Sequence, residues 1–318
     1  MKHLLSIEQL SKEEIEAILD RAESFAEDGR RDIKKVPTLR GRTVVSLFYE
    51  SSTRTSSSFD LAAKRLSADL VSVKASGSSV EKGESLKDTV ATLSAYDPAA
   101  IVIRHPYAGA AQMVAGWTAA SVVNAGDGKH EHPSQALLDV YTLRRRLGSL
   151  EGVRIWIVGD VLHSRVARSN LIAFKRMGAE VTVCGPPTLI PRGIEELGFE
   201  VSYSLDGIEE ADVVYALRMQ QERMSDSFVP SLREYANSFQ IDTRRLNPRQ
   251  LLMHPGPVNR GVELSGEAID SPQSLIAEQV AAGLVVRMAI LYELLAGGDA
   301  HPVAADEGSK PTPIGTSA

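Results

Sequence analysis

Apolar and polar positions along this chain switch between two periods. Thr43–Phe48, Leu70–Val73, Ala100–Ile103 and Ser121–Val123 are short, nearly unbroken apolar runs, the pattern of strands covered on both faces. Between them Thr55–Leu66, Ser85–Ser94, Ala108–Ala115 and Ser134–Leu147 place apolar residues at helical spacing. A first helix is expected over residues 6–28, with Ser11 as N-cap of its main part, Glu14 closing a capping box, and Ile15, Ile18 and Leu19 on one face. A second strand–helix series opens at Val153-Arg154-Ile155-Trp156-Ile157-Val158-Gly159-Asp160 and continues through Glu180–Cys184, Asp212–Leu217 and Leu251–His254. A long apolar helix closes the pattern at about residues 273–296. Two such series predict an α/β fold of two domains, each a parallel sheet flanked by helices, with the ligand cleft between them.

The boundary is expected near residues 148–152, giving a first domain over 1–148 and a second over 149–272. Arg144-Arg145-Arg146-Leu147-Gly148 reads as a helix C-terminus, where cations and a glycine are both favoured, rather than as an anion site. Residues 297–318, rich in Gly, Pro, Ala and Ser, are expected to be a disordered tail.

Composition narrows the class. The 318 residues are 43% hydrophobic and 24% charged, the balance of an ordinary globular protein. A net charge of −6 speaks against non-specific binding to nucleic acid or to acidic membranes, so any anion site must be a local concentration of cations. The single cysteine, Cys184, has no partner for an intrachain disulfide and sits in a strand-like segment, which makes it a small core residue. No apolar stretch reaches the roughly 20 residues of a membrane span, and the N-terminus lacks a signal-peptide pattern. A cytoplasmic location is expected.

Chemistry concentrates where strands end. Phe48-Tyr49-Glu50-Ser51-Ser52-Thr53-Arg54-Thr55 follows the first strand with hydroxyls around one arginine and then starts a helix. A helix start directs free backbone N–H groups and a positive dipole end outward, which suits a phosphate. Arg104 and His105 follow the third run; Gly126-Asp127-Gly128-Lys129-His130-Glu131-His132-Pro133-Ser134-Gln135 follows the fourth. In the second series come His163 and Arg165, then Arg218 and Gln220, then His254-Pro255-Gly256-Pro257. A lone arginine is ordinarily a solvated charge or a helix cap. The recurrence of cations and amides at strand ends in both halves predicts an anionic ligand in the cleft. His130 and His132 lack a third ligand at a recognised spacing and are weak evidence for a metal. Gly159-Asp160 lacks the rest of a dinucleotide fingerprint. Ser76–Ser85, with Lys82 among glycines and serines, reads equally as a plain loop or as a mobile loop carrying a lysine into a site.

Taken in order, Phe48-x-Glu50-x-Ser52-Thr53-Arg54-Thr55, Lys82-Gly83-Glu84, Arg104-His105-Pro106, His132-Pro133-Ser134-Gln135, Arg165, Arg218-Met219-Gln220 and His254-Pro255-Gly256-Pro257 resemble the aspartate and ornithine carbamoyltransferases. The ordered set spans residues 48 to 257, and the flanking helices fit as well. Within the family the pattern sides with the aspartate-using members. Aspartate's two carboxylates call for cations such as Lys82, Arg165 and Arg218; the cysteine and the Asp-x-x-x-Ser-Met-Gly segment of ornithine enzymes are both missing. Gly256 stands where some relatives carry leucine, and Ser56 where arginine is frequent.

The resemblance implies attack of the L-aspartate α-amine on carbamoyl phosphate, giving N-carbamoyl-L-aspartate and phosphate, an early step of de novo pyrimidine synthesis that needs no cofactor and no metal. It implies that residues 1–148 bind carbamoyl phosphate with the C-terminal helix packed back on them, and that 149–272 bind aspartate. By the same resemblance Ser52, Thr53, Arg54 and Thr55 hold the phosphate; Thr55, Arg104 and His132 the carbonyl oxygen; Gln135 and the backbone of Pro255 and Gly256 the carbamoyl amide. Arg165, Arg218 and Gln220 hold the aspartate carboxylates. Ser78 and Lys82 reach in from a neighbouring subunit of a homotrimer with shared sites. Whether regulatory chains or a dihydroorotase join a larger assembly is left open. Two competing readings are a carbamoyltransferase for another amine, such as ornithine, and a non-catalytic scaffold; the intact Arg54, Lys82, Arg104 and His132 speak against the second.

Overall fold

The computed structural model describes residues 1–29, 34–74, 83–220 and 228–296. Ser78, Lys82 and the tail 297–318 lie outside the described residues.

Helix α1 (Lys12–Asp28) opens the chain, and Ser11 caps it in the expected capping box with Glu14. It begins later than residue 6, because the Glu131 carboxylate takes the Ile7 backbone N–H and the Ser6 hydroxyl, and Leu4 joins the sheet edge at Val123. Strand and helix then alternate: β1 (Thr43–Phe48), α2 (Thr53–Arg65), β2 (Asp69–Lys74), α3 (Leu86–Ser94), β3 (Ala100–His105), α4 (Ala110–Ala115), β4 (Ser121–Asp127) and α5 (Pro133–Leu147). The four strands form a parallel sheet in the order β2-β1-β3-β4. Both faces are covered, which explains the unbroken apolar runs. Val44 and Val102 enter one core; Val45, Leu47, Ile101 and Ile103 enter the other.

The second series is β5 (Arg154–Val158), α6 (Arg165–Arg176), β6 (Glu180–Cys184), β7 (Glu200–Ser202), β8 (Val213–Ala216), α7 (Leu232–Phe239), β9 (Leu251–Met253), α8 (Gly266–Ile269) and α9 (Ile276–Leu295). Its sheet is parallel in the order β7-β6-β5-β8-β9. Helix α9 packs on α1, α2 and α5, so the last helix lies against the first half. Helix α5 is buried from Pro133 through Leu143 and forms the axis between the halves, packed on α6 and α9. The basic run at its end is anchored by acids: Arg144 to Asp20 at 2.7 Å, Arg145 to Glu23 at 3.3 Å and Arg146 to Glu278 at 2.9 Å. Among the described residues no helix is long and apolar enough to cross a membrane.

Each sheet has a topological switch. The order in which strands are added reverses between β1 and β3 in the first and between β5 and β8 in the second. In open parallel sheets a crevice forms beyond the carboxyl ends of those strands. The segments there are the ones rich in cations.

Candidate active site

On the first sheet β1 runs into the N-terminus of α2. Ser52 is the N-cap, its hydroxyl accepting from Thr55 N at 3.4 Å, while Thr53 and Arg54 are exposed. The start of this helix therefore points its N–H groups and one guanidinium outward. Thr55 is buried, and its hydroxyl lies 3.5 Å from His132 Nε2. His132 occupies the N-cap position of α5, where Pro133 needs no amide partner. The His132 N–H donates to Ser169 Oγ at 2.9 Å, and that hydroxyl donates to Glu131 Oε2 at 2.9 Å. Gln135 follows one turn along, its Nε2 donating to Asp139 Oδ1 at 3.0 Å. Arg104 is still within β3, because pairing resumes at His105–Asp127 after an irregularity, so the strand is longer than its apolar run. Its Nη1 donates to Ala125 O at 3.4 Å and its Nε lies 3.3 Å from Glu50 Oε2.

On the second sheet Arg165 is the first residue of α6, a helix capped by Ser164. Its side chain is buried and donates through Nη2 to Glu50 Oε2 at 2.7 Å and through Nη1 to Gly128 O at 3.3 Å. A Cβ on Gly126, at φ +117°, would stand 3.0 Å from the Arg165 guanidinium carbon, so glycine leaves room for this crossing. Arg218 Nη2 donates to Gln220 Oε1 at 3.3 Å. The Gln220 N–H is held by Asp160 Oδ2 at 3.2 Å, and the same buried carboxylate lies 2.8 Å from His163 Nδ1.

The turn after β9 closes the site. His254 N–H donates to Gln279 Oε1 at 3.0 Å, and Gly256 N–H donates to His254 Nδ1 at 2.8 Å. Burial lowers the His254 pKa, and the charges of Arg54 and Arg218 lower it further against the opposing Glu263 carboxylate, 3.3 Å away. One neutral imidazole thus lies within electrostatic reach of a first-sheet arginine and a second-sheet arginine. A cavity of about 930 Å³ between α2, α5 and α9 reaches Arg54, Gln135, Pro255 and Gly256 at one end.

The structure therefore brings Thr55 to His132, Arg54 to Gly256, Arg218 to Gln220, and Arg104 to Arg165 through a shared carboxylate. Ser78 and Lys82 are outside the described residues. His130, weighed above as a metal ligand, faces Asp127 at 3.1 Å. Strand-end reasoning looked for cations and missed four buried or half-buried acids: Glu50, Glu131, Asp139 and Asp160. Glu50 carried a signal, since it sits two residues past β1 in the same turn as the hydroxyls.

Sequence models of two domains match this chain: the carbamoyl-P binding domain of aspartate/ornithine carbamoyltransferase over residues 2–145, and the Asp/Orn binding domain over residues 151–294. The chain belongs to the aspartate/ornithine carbamoyltransferase family. Among family members, the aspartate carbamoyltransferase catalytic subunit of Acidothermus cellulolyticus is 54% identical, over 98% of this chain and 97% of that one. Its counterpart in Mycolicibacterium smegmatis is 53% identical, over 95% and 98%. The fold matches the Trypanosoma cruzi aspartate transcarbamoylase solved with N-(phosphonacetyl)-L-aspartic acid, at TM-score 0.85 and 32% identity over 93% of this chain and 96% of that one. The catalytic subunit of M. jannaschii aspartate transcarbamoylase matches at TM-score 0.83 and 36% identity over 95% of this chain and 100% of that one. Two parallel sheets flanked by helices are the common architecture of these carbamoyltransferases.

Proposed function

We propose that this carbamoyltransferase joins carbamoyl phosphate to the α-amine of L-aspartate, releasing N-carbamoyl-L-aspartate and phosphate at the entry to pyrimidine synthesis. The observation that carries the reading is the approach of the Arg54 guanidinium, from the start of α2, to the Gly256 turn of the second half, where the charges of Arg54 and Arg218 both act on His254. One cation belongs to a helix N-terminus built for a phosphate, the other to an Arg–Gln pair suited to a carboxylate.

In this reading Ser52, Thr53, Arg54 and Thr55 bind the phosphate through backbone N–H groups, hydroxyls and the guanidinium. Thr55, Arg104 and His132 face the carbonyl oxygen. As the amine nitrogen bonds to the carbonyl carbon, that oxygen gains charge, and donors already in position stabilise it; losing one such donor typically lowers the rate by about 10²–10³. The C–O bond to phosphate then breaks, the carbonyl re-forms, and the departing phosphate takes the proton released by the amine. Gln135 and the backbone of Pro255 and Gly256 meet the carbamoyl NH₂. Arg165, Arg218 and Gln220 hold the two aspartate carboxylates, which fixes the amine against its target. Ser78 and Lys82 of a neighbouring copy complete the site, so the working unit is a cytoplasmic homotrimer.

A ureido-product assay with aspartate and ornithine side by side tests the acceptor: turnover of ornithine alone overturns the reading. Mixing Arg54→Ala and Lys82→Ala proteins tests the shared site: recovered activity supports it, and a mixture as inactive as its parts refutes it. For the proton, His132→Ala should keep the parent's pH–rate profile at lower rate; a lost limb would assign the proton to His132.

A further inference from the structure

A fully buried carboxylate with every acceptor position filled lies one helical turn behind Gln135. The Asp139 side chain is fully buried and accepts from four donors on four elements. Its Oδ1 takes Gln135 Nε2 of α5 at 3.0 Å and Gln279 Nε2 of α9 at 2.7 Å. Its Oδ2 takes Asn170 Nδ2 of α6 at 2.9 Å and the Tyr215 hydroxyl of β8 at 2.7 Å. Two oxygens offer about four lone-pair positions, and all are used. Arg287 on α9, a cation that senses it, is itself buried and bonds Ser58 Oγ and Gly283 O.

An ionised carboxylate only accepts, so each amide that meets it must present its NH₂ group. That rule orients both glutamines. Gln279 turns its Oε1 the other way, and there it accepts from His254 N–H, whose ring accepts from Gly256 N–H. Gln135 spends one of its two Nε2 hydrogens on Asp139, which fixes the amide with Oε1, its one acceptor, turned away from the carboxylate. Resting on the function proposed above, we propose that Asp139 is a positioning residue that sets the carbamoyl selectivity of this site. It holds the Gln135 amide as an acceptor for the carbamoyl NH₂ and steadies, through Gln279 and His254, the Pro255–Gly256 turn that meets the same group. An acyl phosphate with a methyl in place of that NH₂ gives these acceptors nothing to bind, and a site with unmet buried acceptors rejects such a ligand strongly. Asp139→Asn would place an NH₂ against donors and release the Gln135 amide to flip.

The test is equilibrium binding to the full-length protein, without an amine acceptor, of carbamoyl phosphate, acetyl phosphate and inorganic phosphate. Asp139→Asn is expected to weaken carbamoyl phosphate about tenfold, the worth of roughly one hydrogen bond. Acetyl phosphate and inorganic phosphate should stay within about twofold, because the Ser52–Thr55 cradle is untouched. In a Gln135→Leu background the same substitution should shift carbamoyl phosphate little further. Equal weakening of all three ligands, or an undiminished effect in that background, overturns the proposal and leaves Asp139 a purely structural residue. If Asp139→Asn does not fold, a structure of the parent with carbamoyl phosphate decides: Gln135 swung off Asp139 in the complex refutes it. A parent without preference for carbamoyl over acetyl phosphate would instead refute the function itself, so the two failures are distinct.

Discussion

Glu50 and Arg165 join the two sheets at the cleft. The Arg165 side chain is 3% exposed, and Glu50 Oε2 accepts from its Nη2 at 2.7 Å. The same oxygen lies 3.3 Å from Arg104 Nε, so one carboxylate sits between a cation of β3 and a cation of α6. Without it, two like charges would face each other with one of them buried. Removing one partner of a buried ion pair costs about 3–5 kcal/mol; with Glu50 27% exposed, solvent screening reduces this to about 2 kcal/mol.

Glu50→Ala is therefore expected to lower the unfolding midpoint in denaturant and to raise the KM for aspartate about tenfold or more, because Arg165 loses its fixed orientation. Glu50→Gln keeps a neutral acceptor and should fall between. A lower aspartate KM in Glu50→Ala would show instead that Glu50 competes with substrate for the guanidinium.

The fold was largely legible because parallel strands buried on both faces leave continuous apolar runs, and β1 and β6 have the bounds read for them. Helices α6 and α7 were not read: α6 has a wide polar face, and α7 is only Leu232–Phe239. The edge strand β7, Glu200–Ser202, is too short to show a period. Residues 6–10 looked helical, yet the Ile7 N–H and the Ser6 hydroxyl are claimed by Glu131, a partner more than a hundred positions away. The same distance effect hid Asp139 and Asp160. An acid in a helix or after a strand looks like surface charge until the donors of other elements close around it.

Gly256 and Arg54 meet closely. A Cβ at Gly256 would lie 2.9 Å from the Arg54 guanidinium carbon, and its φ is +64°. Gly256→Ala should lose about 1 kcal/mol of stability from the left-handed backbone. Because the obstructing atoms end a flexible side chain, the guanidinium should swing aside, and phosphate affinity should fall by no more than about threefold. Arg54→Ala should weaken phosphate much more, and adding Gly256→Ala to it should change phosphate binding no further. A full loss of binding from Gly256→Ala alone would show that Arg54 has no other productive position.

Cys184 is buried at the end of β6, its Sγ donating to Ser204 O at 3.1 Å, and burial pushes its thiol up to about 12. Thiolate is the reactive form. At pH 8 a thiol reagent should label the folded protein only as fast as it unfolds, and denaturant should expose one thiol per chain. Rapid labelling without denaturant would mean that this strand end opens locally.

Asp139 sets two effects against each other. Four donors favour its ionised form and burial opposes it; burial wins, and the carboxyl is raised to about 6. An acid raised in the folded state binds its proton there before it does so in the unfolded chain. Its contribution to stability therefore grows as pH falls from about 6 toward the unfolded value near 4, and is lost as pH rises back through that window. The full swing is on the order of 3 kcal/mol. His254 works in the opposite direction, since its lowered pKa leaves the unfolded chain to take the proton first as the solution is acidified. Comparing the parent with Asp139→Asn removes the histidine from the difference, because both proteins carry it. At fixed protein concentration, the parent's stability advantage should be larger at pH 4.5 than at pH 7.5 in denaturant unfolding. An advantage that shrinks on acidification would mean that the four donors outweigh burial and hold the carboxyl below its ordinary range.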